Sequence, residues 1–99
     1  MSDKFSYSVE CRDTRPSPDS IGRALWGVSK NFKVVAEGTD PAKGQWTRLS
    51  FTYAEDPAQG LEIVADPAGK ALLVVTSHKQ VWARTAAFHI AMETRGRIL

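Results

Sequence analysis

A single cysteine, Cys11, stands among the 99 residues of the chain. One thiol excludes an intramolecular disulfide and any cysteine cluster for zinc or iron, and it suits a reducing compartment. Long apolar runs are missing too. The longest is Ala71-Leu72-Leu73-Val74-Val75, far short of the about 20 residues that cross a bilayer. No apolar stretch follows Met1-Ser2-Asp3-Lys4, so neither a secretory signal nor a membrane partner is expected, and the expected location is cytoplasmic. The sequence contains no G-x-G-x-x-G, no phosphate-binding loop, no G-x-S-x-G and no Cys-x-x-Cys. It therefore carries none of the local patterns that cradle a nucleotide cofactor or raise a nucleophile on a sharp turn. Charge of one sign is also scarce. Thirteen Lys and Arg against eleven Asp and Glu leave a net +2, a weak field beside that of dedicated phosphate binders.

What is present describes one domain over residues 1–99. Size scaling folds such a chain from about 15,800 Å² of surface to about 5,600 Å², enough burial for one core but not for two. Apolar residues make up 42% and charged residues 24%, as in ordinary globular proteins.

Strand patterns dominate. Phe5, Tyr7, Val9 and Cys11 alternate with Lys4, Ser6, Ser8 and Glu10, which predicts a strand with one buried face and leaves the Cys11 thiol inward and inert. Leu49, Phe51 and Tyr53 alternate with Arg48, Ser50 and Thr52. Leu61–Ala65, Ala71–Thr76 and Lys33–Glu37 supply further strands. Three turns with one chemistry punctuate this stretch: Asp40-Pro41-Ala42-Lys43-Gly44, Asp56-Pro57-Ala58-Gln59-Gly60 and Asp66-Pro67-Ala68-Gly69. In each, Asp bonds its own backbone, Pro presets φ and Gly closes the turn. Short turns between consecutive strands predict an antiparallel meander.

Two helices flank the meander. Ser17-Pro18-Asp19 reads as cap, first residue and dipole-matched acid, followed by a narrow apolar stripe of Ile21, Leu25, Val28 and Phe32. Gly22 and Gly27 cost such a helix about 1 kcal/mol each relative to Ala, which points either to a close neighbour or to a marginal helix. The second helix is predicted from Ser77, as a capping box with Gln80, to about Arg95 before Gly96. It carries two apolar stripes, Val81–Phe88–Met92 and Trp82–Ala83–Ala86–Ile90, more than one sheet face needs. Either the helix is wedged between the sheet and the first helix, or one stripe is a contact surface. The expected fold is α+β, a two-layer sandwich. A mostly antiparallel sheet of about five strands, in the order β-α-β-β-β-β-α, carries both helices on one face.

His89 and Glu93 have the i, i+4 spacing of paired helical ligands, but nothing nearby completes a site, and no metal or cofactor is expected. The most suggestive groups for binding are Arg23, Trp26 and Lys30 on the first helix, Trp46 and Arg48 on the presumed open sheet face, and Lys79 at the second helix. A Trp among cations stacks on a base or anchors a protein interface. Phe32–Gly38, the strand Trp46–Tyr53, and Ser77, Lys79, Thr85 and Ala86 at the last helix are together similar to the double-stranded RNA-binding domain. Trp82 replaces a lysine of that family's pattern, and a first strand and about a dozen further residues are added. The resemblance implies RNA binding through the start of the last helix.

The small size, the missing catalytic patterns and the over-apolar last helix point instead to a non-enzymatic protein-binding module. It would act stoichiometrically as an inhibitor or adaptor of another protein, as chains encoded by phages and mobile elements do, with dimerisation through the last helix an option. Nucleic-acid binding is the alternative.

Overall fold

Residues 4–27, 32–53, 56–66 and 72–99 are described by a computed structural model. In chain order they form β1 (Phe5–Glu10), α1 (Pro18–Trp26), β2 (Phe32–Glu37), a 3₁₀ turn (Pro41–Lys43), β3 (Arg48–Tyr53), β4 (Asp56–Ala65), β5 (Leu72–Ser77), α2 (Gln80–Glu93) and β6 (Arg97–Ile98). The strands make one antiparallel sheet in the order β2-β3-β4-β5-β1-β6. The meander of β2 to β5 is as expected. The first strand returns to its far side, pairing from Phe5↔Ser77 to Glu10↔Leu72.

Register and alternation together set the two faces. Val34, Leu49, Phe51, Leu61, Ile63, Leu73, Val75 and Val9 share one face and supply much of the core. Both helices pack on that face, α2 over β1, β5 and β6, and α1 beside α2 toward β2. The other face carries Ser8, Thr76, Glu62, Ser50, Arg48, Lys33 and Glu37, and no helix of the described residues lies on it.

Helix α1 starts as expected. Ser17 caps it by accepting from the Ser20 N–H at 3.3 Å, and Pro18 opens the first turn. It stops earlier than the apolar stripe suggested, because the Gly27 N–H closes the last turn on the Arg23 carbonyl at 2.8 Å. Phe32 therefore begins β2 instead of ending α1. Val28, and Lys30 with its proposed role, lie outside the described residues. Phe32 returns to the helix all the same, its ring covering Gly22, which identifies the close neighbour that this glycine accommodates.

Three local expectations are corrected. The second Asp-Pro turn is strand: β3 and β4 pair as far as Tyr53↔Asp56, with a register shift at Thr52/Tyr53, so Asp56 and Pro57 open β4. Proline is tolerated at the start of a strand, where its missing N–H breaks least of the ladder. Ser77 is the last residue of β5 and not a helix cap. Its hydroxyl donates to the Gly60 carbonyl at 2.7 Å and accepts from the Lys79 N–H at 3.2 Å, while the Gln80 amide donates to the Tyr7 hydroxyl at 3.3 Å. The sheet also has a sixth strand. After α2 the Gly96 N–H bonds the Ala91 carbonyl at 2.8 Å, and the chain turns so that Arg97 and Ile98 pair with Glu10 and Val9.

The first Asp-Pro turn is as read: Gly44 closes it in the left-handed region at φ 81°. A β-carbon there would also meet the Arg15 carbonyl at 2.0 Å. The third turn reverses the chain between Ala65 and Leu72, where the Asp66 N–H bonds the Leu72 carbonyl at 2.9 Å; its residues 67–71 lie outside the described residues.

Candidate functional site

The structure disperses the residues that the sequence offers for binding. Trp26 belongs to an aromatic nest between α1 and the sheet. Its ring stacks on Tyr53 at 5.3 Å and 12° and on Phe32 at 5.5 Å and 30°, and meets Trp82 edge-on at 5.4 Å. It is half-buried and is one turn from Gly22, on the side of the helix that Phe32 covers. Its indole N–H is buried with no partner among the described residues.

Trp46 is 1% exposed and lies in the core, not on the open face. Alternation misplaces it because β3 begins only at Arg48, after the 3₁₀ turn. Its indole N–H donates to the Pro16 carbonyl at 2.9 Å. Arg15 lies over the ring at 5.3 Å and donates to the Trp46 carbonyl. The Arg15–Trp46 contact thus fastens the linker before α1 to the core.

The cations are in three separate places. Arg48 is on the open sheet face with Glu62 at 3.1 Å. Arg23 reaches Asp19 one turn back on α1 at 2.5 Å. Lys79 places its ammonium over the Trp82 ring at 5.1 Å.

A different group of residues does converge. On the outer side of α2, Val81, Arg84, Thr85, Phe88, His89 and Met92 line an open groove of 410 Å³, with Ala24 of α1 as its other wall. Val81, Phe88 and Met92 are 62%, 49% and 80% exposed. Of the two stripes on this helix, the one with Ala83, Ala86 and Ile90 is buried against the sheet, and the other is left outside. The second stripe is therefore packed against neither the sheet nor the core and stays exposed.

The groove residues Val81, Thr85, Phe88 and Met92 are spaced four, three and four apart, the spacing of a helix seam that faces another helix. Arg84 lies over the Phe88 ring at 5.5 Å, and among the described residues it meets no carboxylate. The Ser20 hydroxyl and His89 Nε2 are 2.9 Å apart and join α1 to α2 beside the groove. Residues 69 positions apart leave no local pattern, so this bond is invisible in the sequence.

Burial raises the pKa of the Cys11 thiol, against smaller opposing effects of the Thr94 hydrogen bond and the Arg15 charge. A second hollow, 390 Å³, is lined by Lys4, Ser50, Glu62, Thr76 and His78 beside Gly60. Among the described residues no three His, Cys, Asp or Glu side chains come together as a metal site, and no helix is long and apolar enough to cross a membrane.

Of the segments similar to the double-stranded RNA-binding domain, Phe32–Glu37 and Arg48–Tyr53 are strands; at the last helix Ser77 ends β5, while Lys79 stands at the N-terminus of α2 with its ammonium over the Trp82 ring. No protein family, no curated protein and no solved structure matches the chain.

Proposed function

We propose that this protein is a stoichiometric binding module, an inhibitor or adaptor, that grips another protein through the outer groove of α2. The observation that carries this reading is the row of Val81, Phe88 and Met92, left exposed on a helix whose opposite side is locked into the core. Covering the row gains roughly 25 cal/mol for each Å² of apolar surface taken from water, offset in part by the rotamer freedom that Met92 gives up. The groove fits an apolar helical segment of the partner. Arg84, already oriented by Phe88, selects a segment that also brings a carboxylate, because a guanidinium takes a carboxylate through two parallel hydrogen bonds.

The charge arrangement favours a protein over a nucleic acid. Arg23, Arg48 and Arg97 each hold a carboxylate, those of Asp19, Glu62 and Glu10. Binding a phosphate backbone would have to displace these acids.

Photo-crosslinking in the source cells tests the reading. Benzoylphenylalanine is placed at Met92 in one variant and at Ser8, on the open sheet face, in a second. A discrete protein adduct from position 92 and none from position 8 supports it. Adducts to nucleic acid, or equal adducts from both positions, refute it.

A further inference from the structure

The two ends of the sheet are finished differently. At one, β1 is capped by β6, and the Leu99 N–H bonds the Ser8 carbonyl at 2.9 Å. At the other, among the described residues, β2 pairs with β3 alone. An edge strand of this length is normally blunted by proline, a bulge or charged side chains, since its open main chain is a template for another strand; the charges of β2 are of opposite sign, so they deter a mismatched strand but not one that pairs them. β2 reads Phe-Lys-Val-Val-Ala-Glu. It has no proline, and its register against β3 is unbroken from Phe32↔Tyr53 to Glu37↔Arg48. Val35 protrudes on the helix-free face at 68% exposure. On that face its neighbours, two residues away on either side, are Lys33 and Glu37, both exposed.

That order is self-complementary. When two copies of β2 run antiparallel about a two-fold axis through Val35, Lys33 of each copy faces Glu37 of the other, and Val35 faces Val35. On the opposite face, Val34 faces Ala36. Backbone direction agrees. The Glu37 carbonyl is turned toward β3, accepting from the Thr47 N–H at 2.8 Å. Strand alternation then turns the N–H and C=O groups of Val34 and Ala36 to the open edge. These two residues exchange hydrogen bonds across the axis, and Val35 falls on the close, non-hydrogen-bonded pair. Val34 and Ala36, half-buried in one copy, lose further exposure in two. Lys33 has an interaction within its own chain; its ammonium has three donors, enough to take Glu37 of the other copy without giving up a partner of its own. A slip by two residues puts Lys33 opposite Val35 and unpairs the charges, so the charges select this register.

We infer that β2 is a self-association edge. Two copies join β2 to β2 through the Lys33–Val35–Glu37 row, making one continuous antiparallel sheet of twelve strands. A single six-residue strand pair covers less than the roughly 800 Å² per partner of a stable dimer. The association is therefore weak, with a dissociation constant in the high micromolar range, and it weakens with salt. The surface lies apart from the α2 groove, so this inference stands or falls independently of the proposed function.

Sedimentation equilibrium on the full chain from 10 µM to 1 mM at low salt, with amide hydrogen exchange at both extremes, tests it. The wild type forms a dimer, and the Val34 and Ala36 amides gain protection as concentration rises. Lys33→Glu and Glu37→Lys, each at an exposed position, weaken the dimer roughly tenfold by placing like charges opposite one another. Combining the two substitutions restores it. Thermal unfolding of each variant confirms that the monomer fold is kept. A monomer at 1 mM, a dimer that leaves those amides unprotected, or a double variant as weak as the single ones would overturn the inference.

Discussion

The ring of Phe32 lies over Gly22, so close that a β-carbon on the glycine would be 2.3 Å from it. This one contact locks the last turns of α1 to the edge of the sheet. It also sets two physical effects against each other. Alanine gains about 1 kcal/mol over glycine inside a helix, whereas overfilling a packed site costs about 1–3 kcal/mol. The ring is held by Trp26 stacked on its other neighbours, so it cannot swing away freely.

Gly22→Ala is therefore expected to lower stability in urea unfolding by about 1–2 kcal/mol, despite the better helix former. In a Phe32→Leu background, where the ring is gone, the same change becomes neutral or stabilising. Equal effects in both backgrounds would show that the two residues are not coupled.

Trp26→Ala separates packing from recognition. The nest of Tyr53, Phe32 and Trp82 around it predicts a loss of about 3 kcal/mol, the size typical of removing a large aromatic from a core. Circular dichroism during thermal unfolding measures it. An unchanged midpoint would return Trp26 to the surface role that its flanking cations suggested.

The Cys11 thiol gives a pH signature. Burial raises its pKa above the usual thiol value of about 8.5. The folded state holds this proton more tightly than the unfolded chain does, so ionisation opposes folding. Its contribution is intact below about pH 8.5 and falls as pH rises through the folded value. In the native protein the thiol should react with a disulfide reagent at pH 7.5 far more slowly than in urea. Comparable rates would mean that the thiol just after β1 is not buried in the native fold.

Much of the fold was legible because its signals are local. Alternation in Phe5–Cys11 and Arg48–Tyr53 needs only a period of two, and Ser17-Pro18 marks a helix start by its own chemistry. What the sequence concealed depends on distant partners. Trp46 looks exposed until Pro16 and Arg15 are brought to it. Ser77 looks like a helix cap until Gly60 claims its hydroxyl. The pairing of Arg97 and Ile98 with β1 links opposite ends of the chain, and two residues are too few for any period. At the candidate site the apolar stripe of α2 was readable, but which stripe faces outward was not. That choice is made by the sheet, which takes up Ala83, Ala86 and Ile90.

The groove makes the sharpest demand. Phe88 is half-exposed and touches Arg84, so Phe88→Glu should change stability by less than about 1 kcal/mol while placing a carboxylate where the partner's apolar segment must sit. Isothermal titration of the crosslinked partner, once purified, against the wild type and Phe88→Glu at equal concentrations measures this directly. One partner per chain is expected for the wild type, and at least a hundredfold weaker binding for the variant, with matching unfolding midpoints. Wild-type affinity in the variant would contradict it.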